Sequence, residues 1–136
     1  MTSIGEVIKR RRTGHMRVYF LTYYREPQSE LLKRFGLATD CPLVQIERHT
    51  AIEVLTMFLH RGLAYGRELM PGTDAQGFAV WLLEQFQTEE SAFYTNGNWQ
   101  SNLWGGWTPC TTSTFDGGVI ATSGGLAACI WFEDED

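Results

Sequence analysis

The stretch from Gly118 to Phe132 constrains this chain more than any other. Gly118 to Thr122 and Leu126 to Phe132 are two runs of strand-forming residues joined at Ser123-Gly124-Gly125, which reads as a β-hairpin. In the second run Leu126, Ala128, Ile130 and Phe132 fall on one face and Ala127, Cys129 and Trp131 on the other. Side chains alternate across a strand, so apolar residues on both faces call for cover on both faces. A fold that satisfies them needs further elements to pack over the sheet.

The preceding sequence supplies those elements. Ser3-Ile4-Gly5-Glu6 has capping-box spacing and predicts a helix from Ser3 to Arg12, ending near Gly14. His15 to Tyr24, rich in aromatic and β-branched residues, reads as a central strand covered on each side. Pro27 and Ser29 start a helix through Leu31, Leu32 and Phe35, closed by Gly36. A strand with one wet face is predicted from Leu43 to Arg48. A second capping box, Thr50-Ala51-Ile52-Glu53, begins a largely buried helix that ends before Gly62.

After Met70-Pro71-Gly72, the residues Ala75, Phe78, Ala79, Leu82, Leu83 and Phe86 form one apolar stripe on a helix started by Thr73 or Asp74. From Phe93 the period changes: Phe93 to Thr95 is a short strand turning at Asn96-Gly97, and Asn102 to Pro109 reads as a loop. This order predicts a single globular domain over residues 1–136. Its fold class is α+β or mixed α/β: a mixed sheet of four to six strands, three to four helices packed on it, and a C-terminal β-hairpin.

The net charge of −5 conceals sorted charges. Residues 1–36 hold eight Lys or Arg against three Glu, 8 − 3 = +5; residues 37–136 hold three Arg against thirteen acids, 3 − 13 = −10. Four of those acids form the run Glu133-Asp134-Glu135-Asp136. An acidic half repels phosphates, which argues against nucleic acid there. The basic run Lys9-Arg10-Arg11-Arg12 offers an alternative RNA-binding segment. Four adjacent residues spread around a helix, however, and Lys or Arg near its C-terminus also complement the dipole.

Chemistry is harder to find. Cys41, Cys110 and Cys129 form no CxxC pair and, with His15, His49 and His60, no zinc-site spacing, so they read as reduced thiols and no metal or cofactor is implied. His49 and His60 sit at opposite ends of one predicted helix, about 16 Å apart at 1.5 Å per residue. Asp116-Gly117-Gly118 resembles the approach to an active-site carboxylate, with the glycines serving either a ligand or a crowded neighbour. It lacks a second acid, base or nucleophile at a meaningful spacing. No GxSxG, GxxxxGK[ST] or GxGxxG motif occurs, and no catalytic residue is assigned.

Trp99, Trp104 and Trp107, interspersed with Asn98, Asn102, Gly105 and Gly106, form the most unusual local composition. Tryptophans on such a loop stack ligands, anchor a protein partner or lid the core. With no Lys, Arg or His from Glu68 to Asp136, the expectation is a basic protein partner, held by Trp99, Trp104, Trp107, Asp116, Glu133, Asp134, Glu135 and Asp136. In size and acidity the chain resembles bacterial immunity proteins as a broad class, which implies an immunity or antitoxin-like inhibitor of a basic toxin such as a nuclease. The alternative is a small enzyme acting on a polar small molecule or sugar near Asp116 and the Trp loop. No apolar run reaches about 18 residues and no signal-type stretch follows Lys9 to Arg12, so a cytoplasmic protein without membrane contact is expected.

Overall fold

The computed structural model describes residues 2–62, 66–99 and 107–134. Helix α1 (Ile4–Arg11) starts at Ser3, whose Oγ accepts from the Glu6 N–H at 3.2 Å as the capping spacing predicts. Strand β1 (His15–Thr22), helix α2 (Gln28–Arg34) and strand β2 (Val44–Ile46) follow, then helices α3 (Arg48–His60) and α4 (Gly72–Leu82). Strands β3 (Ala92–Thr95), β4 (Phe115–Thr122) and β5 (Leu126–Asp134) complete an α+β fold whose last two strands form the expected hairpin. The five-stranded sheet has the order β1-β5-β4-β3-β2, and every pairing is antiparallel.

Both sheet faces are covered, as the hairpin requires. Helices α3 and α4, with Val7 of α1, pack their apolar residues on Val119, Ala121, Ala128, Ile130 and Phe132. On the opposite face, Leu31, Leu32 and Phe35 of α2, joined by Leu37, Cys41 and Cys110, cover Ile120, Ala127, Cys129 and Trp131. The parity read from β5 is therefore the division between two apolar clusters.

Four readings change. The His15 to Tyr24 strand is an edge strand rather than a central one, because β5 enters from the far end of the chain and takes only one of its sides. Helix α3 begins two residues before Thr50: Glu47 is the cap residue, without a side-chain cap bond, and Thr50 is buried inside the first turn. Helix α4 likewise starts at Gly72 behind Pro71, where Pro presets the entry angle without a side-chain cap. Finally, Cys41 and Cys110 are not free thiols. They form a disulfide with a Cα–Cα distance of 5.2 Å across a sequence separation of 69, a pairing made by the tertiary fold that spacing cannot reveal. Cys129 is a buried free thiol whose pKa burial pushes far up.

Candidate functional site

Gly117 makes room for one of the tryptophans, Trp99, beside Phe58 of α3. A Cβ there would lie 2.7 Å from a Trp99 ring carbon and 2.8 Å from Phe58, so only glycine lets both rings close over β4. Trp99 is only 3% exposed: it meets Phe58 edge-on at 4.8 Å, stacks on Trp107 at 5.5 Å, and donates its Nε1–H to Thr95 Oγ1 at 3.0 Å. Thr95 in turn donates to the Gly118 carbonyl at 2.6 Å. Trp107 is half-buried and continues the stack onto Phe115. Trp104 lies outside the described residues.

The acids named from the sequence are inside the protein. Asp116 is fully buried and accepts from the Cys110 N–H at 2.9 Å and from Asn96 Nδ2 at 3.2 Å. Burial raises its carboxyl above the usual carboxylate range, opposed by hydrogen bonds from Thr111 and the Cys110 amide. Asp134 forms a two-pronged ion pair with Arg11, both contacts at 2.9 Å, with both side chains buried. Arg11 also donates to the Phe58 and Thr13 carbonyls and lies over the Phe132 ring. Glu133 holds Arg17 at 2.9 and 3.0 Å.

Trp99, Asp116, Glu133 and Asp134 are thus internal groups, paired or packed, and do not form a surface patch. Glu135 and Asp136 lie outside the described residues. The basic run is divided in the same way. Arg11 is buried, Arg10 pairs with Asp74 at 2.7 Å, and only Lys9 and Arg12 of the four make no ion pair among the described residues. His49 and His60 stay apart at the two ends of α3, and His60 Nδ1 contacts the Met70 carbonyl at 2.7 Å.

A groove of about 660 Å³ opens beside the Trp99–Trp107 stack. It is lined by Val44, Gln45 and Glu47 at β2, by Thr50 and Val54 of α3, and by Asn96, Trp99 and Trp107. Asn96 is the residue that sequence reading used only as a turn former. Its Nδ2 donates to the Thr108 carbonyl at 2.9 Å and to both the carbonyl and the carboxylate of Asp116, whereas its buried Oδ1 has no hydrogen-bond partner among the described residues. Pro42 and Thr108 also line the groove, each within two residues of a bonded cysteine, so the disulfide ties two parts of its rim.

No Lys, Arg or His is among the lining residues. The described lining mixes apolar and polar groups, so it suits an occupant that carries both. Among the described residues no helix is long and apolar enough to cross a membrane. Compared with protein-family models, curated proteins and solved structures, the chain gives no match.

Proposed function

We propose that this protein is an immunity or antitoxin-like receptor that captures a basic protein partner, and that the groove at β2 is the centre of its binding surface. One observation carries this reading: a ligand-sized groove with tryptophan walls, hydrogen-bond acceptors and no cation, bordered by the exposed carboxylate of Glu47. Glu53, Glu84 and Glu89 are exposed as well, and none of these four acids makes an ion pair among the described residues. Strand β2 is an edge strand with Val44 more than half exposed, so an extended segment of a partner has backbone groups to pair with.

The experiment is affinity capture with the tagged chain, mass spectrometry of what is retained, and a repeat with Glu47→Lys combined with Glu84→Lys. A basic protein released by salt and lost from the double variant supports the reading. Retention indifferent to both overturns it. The groove volume favours a second reading, binding of a polar small molecule, for which the expected sign is a ligand-induced rise in melting temperature without any protein partner.

The compartment belongs to the same proposal. A disulfide that closes so long a loop fits an oxidising environment better than the cytoplasm expected from the sequence. Alkylating the protein as the cells are quenched and denatured, so that the buried Cys129 is reached, and counting blocked thiols decides this: one modified cysteine means the bond exists in the cell, three mean it does not.

A further inference from the structure

We infer that the free edge of β1 is a seam between two copies of this chain, which pair antiparallel about a two-fold axis at Tyr19 into one continuous sheet.

The backbone sets the register. Tyr23, one step beyond Thr22 in the β1–β5 ladder, donates its N–H to the Gly125 carbonyl at 3.0 Å. Bonded and non-bonded pairs alternate along an antiparallel ladder, so the odd-numbered residues of β1 bond to β5, while Met16, Val18, Phe20 and Thr22 turn their N–H and C=O outward. No described strand pairs with that side, and none of those outward groups bonds to another described segment. A two-fold axis perpendicular to the sheet joins an antiparallel pair with like faces together. Only the register centred on Tyr19 engages all four residues: Met16 with the partner's Thr22, Val18 with the partner's Phe20, and the reverse.

The side chains agree with that register. Val18 and Phe20, half-buried against the α3–α4 cluster, come opposite each other as an aromatic and β-branched pair of the kind that stabilises sheets. On the other face Tyr19, 43% exposed, meets its own copy, and Arg17, already held by Glu133, meets the partner's Leu21. No like charges of β1 fall opposite each other. The edge is also undefended. Natural proteins blunt a free edge with proline, lysine, a bulge or brevity. His15–Thr22 has 8 residues, no Pro or Lys, and an unbroken register with β5, which makes a seam of about 27 Å at 3.4 Å per residue. Strand β2 lies at the opposite edge, so pairing at β1 leaves the groove of each copy open, and the seam stands apart from what that groove binds.

The test is sedimentation equilibrium of the full chain, disulfide intact, across a concentration series up to about millimolar. The expected mass rises from 15.5 kDa to twice that value. Tyr19→Lys, which sets two cations against each other at the axis, should raise the dissociation constant at least about tenfold. Thr22→Pro should weaken the dimer in the same direction, because it removes an outward donor and leaves the β5 ladder intact. Tyr19→Cys should cross-link two copies under oxidised glutathione, whereas Leu21→Cys, about 13 Å from its own copy in this register, should not. The cross-link decides the matter where Tyr19→Lys or Thr22→Pro fails to fold. A monomer at every concentration overturns the seam; if Tyr19→Lys then abolishes retention of a protein partner, the edge takes a foreign strand instead. A dimer indifferent to both substitutions, and joined no better through residue 19 than through residue 21, also overturns it and places the contact elsewhere.

Discussion

Individual residues in this protein separate charge from surface. Arg11 is as buried as the core residue Leu32, and its charge is tolerated because Asp134 and two backbone carbonyls take its donors. Removing one partner strands the other, so Arg11→Met is expected to cost about 3–5 kcal/mol in urea unfolding. Arg11→Met combined with Asp134→Leu should recover much of that loss. Asp116 carries a different signature. Its folded pKa is raised, so between the unfolded and folded values the native state holds the proton more tightly. Its contribution is therefore greatest below the unfolded carboxylate pKa and declines as pH climbs through the folded one. Asp116→Asn cannot lose a proton, so its stability relative to wild type should improve as pH rises across that window; a pH-independent difference between the two would refute the assignment. Trp99 and Trp107 are neighbours with separable roles. Trp99→Ala opens the core and is expected to cost about 3–5 kcal/mol, whereas Trp107→Ala, at the half-buried rim, should cost less and fall mainly on binding.

Among the elements, those with local causes were legible and those with distant causes were not. Ser3 capping α1, Gly36 closing α2 with φ +75°, and the β4–β5 hairpin each follow from a few adjacent residues, and each stands where the sequence places it. The edge position of β1 was not legible, since its pairing with β5 joins residues more than a hundred positions apart. Thr50 misled for a related reason: its capping-box spacing is real, but packing draws the first turn of α3 back to Arg48 and buries the hydroxyl residue. The site was legible only in part. The tryptophans drew notice by composition, while Asn96 looked like half of a turn signal and Glu47 like the wet face of a strand. The groove that both line arises from the β2–β3 pairing, which sets Gln45 opposite Tyr94 and Val44 opposite Thr95 across a gap of about fifty residues in sequence. The disulfide belongs at this scale as well, because it fastens the segment after α2 to the segment before β4. Loop-closure entropy for a span of 69 residues gives about 4 kcal/mol. Cys41→Ser with Cys110→Ser should therefore lower the melting temperature by many degrees, while Cys129→Ala, a buried free thiol, should cost much less.

For the molecule as a whole, burial changes the meaning of its charge. Removing Arg11 and Arg17 from the first 36 residues leaves 5 − 2 = +3, and removing Asp116, Glu133 and Asp134 from the remainder leaves −10 + 3 = −7. Among the described residues, exposed acids that make no ion pair include Glu47, Glu53, Glu84 and Glu89, whereas Glu133 and Asp134 are buried in pairs. Long-range fields act chiefly through exposed charges, because a close buried ion pair cancels its own field at a distance. Two sets of substitutions should therefore behave in opposite ways. Reversing Glu47, Glu84 and Glu89 to Lys should leave the melting temperature nearly unchanged, slow association with a basic partner by about tenfold or more, and flatten its dependence on salt. Neutralising Glu133 or Asp134 should lower stability by breaking the pairs with Arg17 and Arg11 and leave the association rate of the folded fraction alone. Stopped-flow association across a salt series, beside thermal unfolding of the same variants, separates them. If the Glu133 and Asp134 variants instead slowed association while keeping wild-type stability, the acidic pole would lie at the C-terminal run and the groove would lose its place at the centre of the surface.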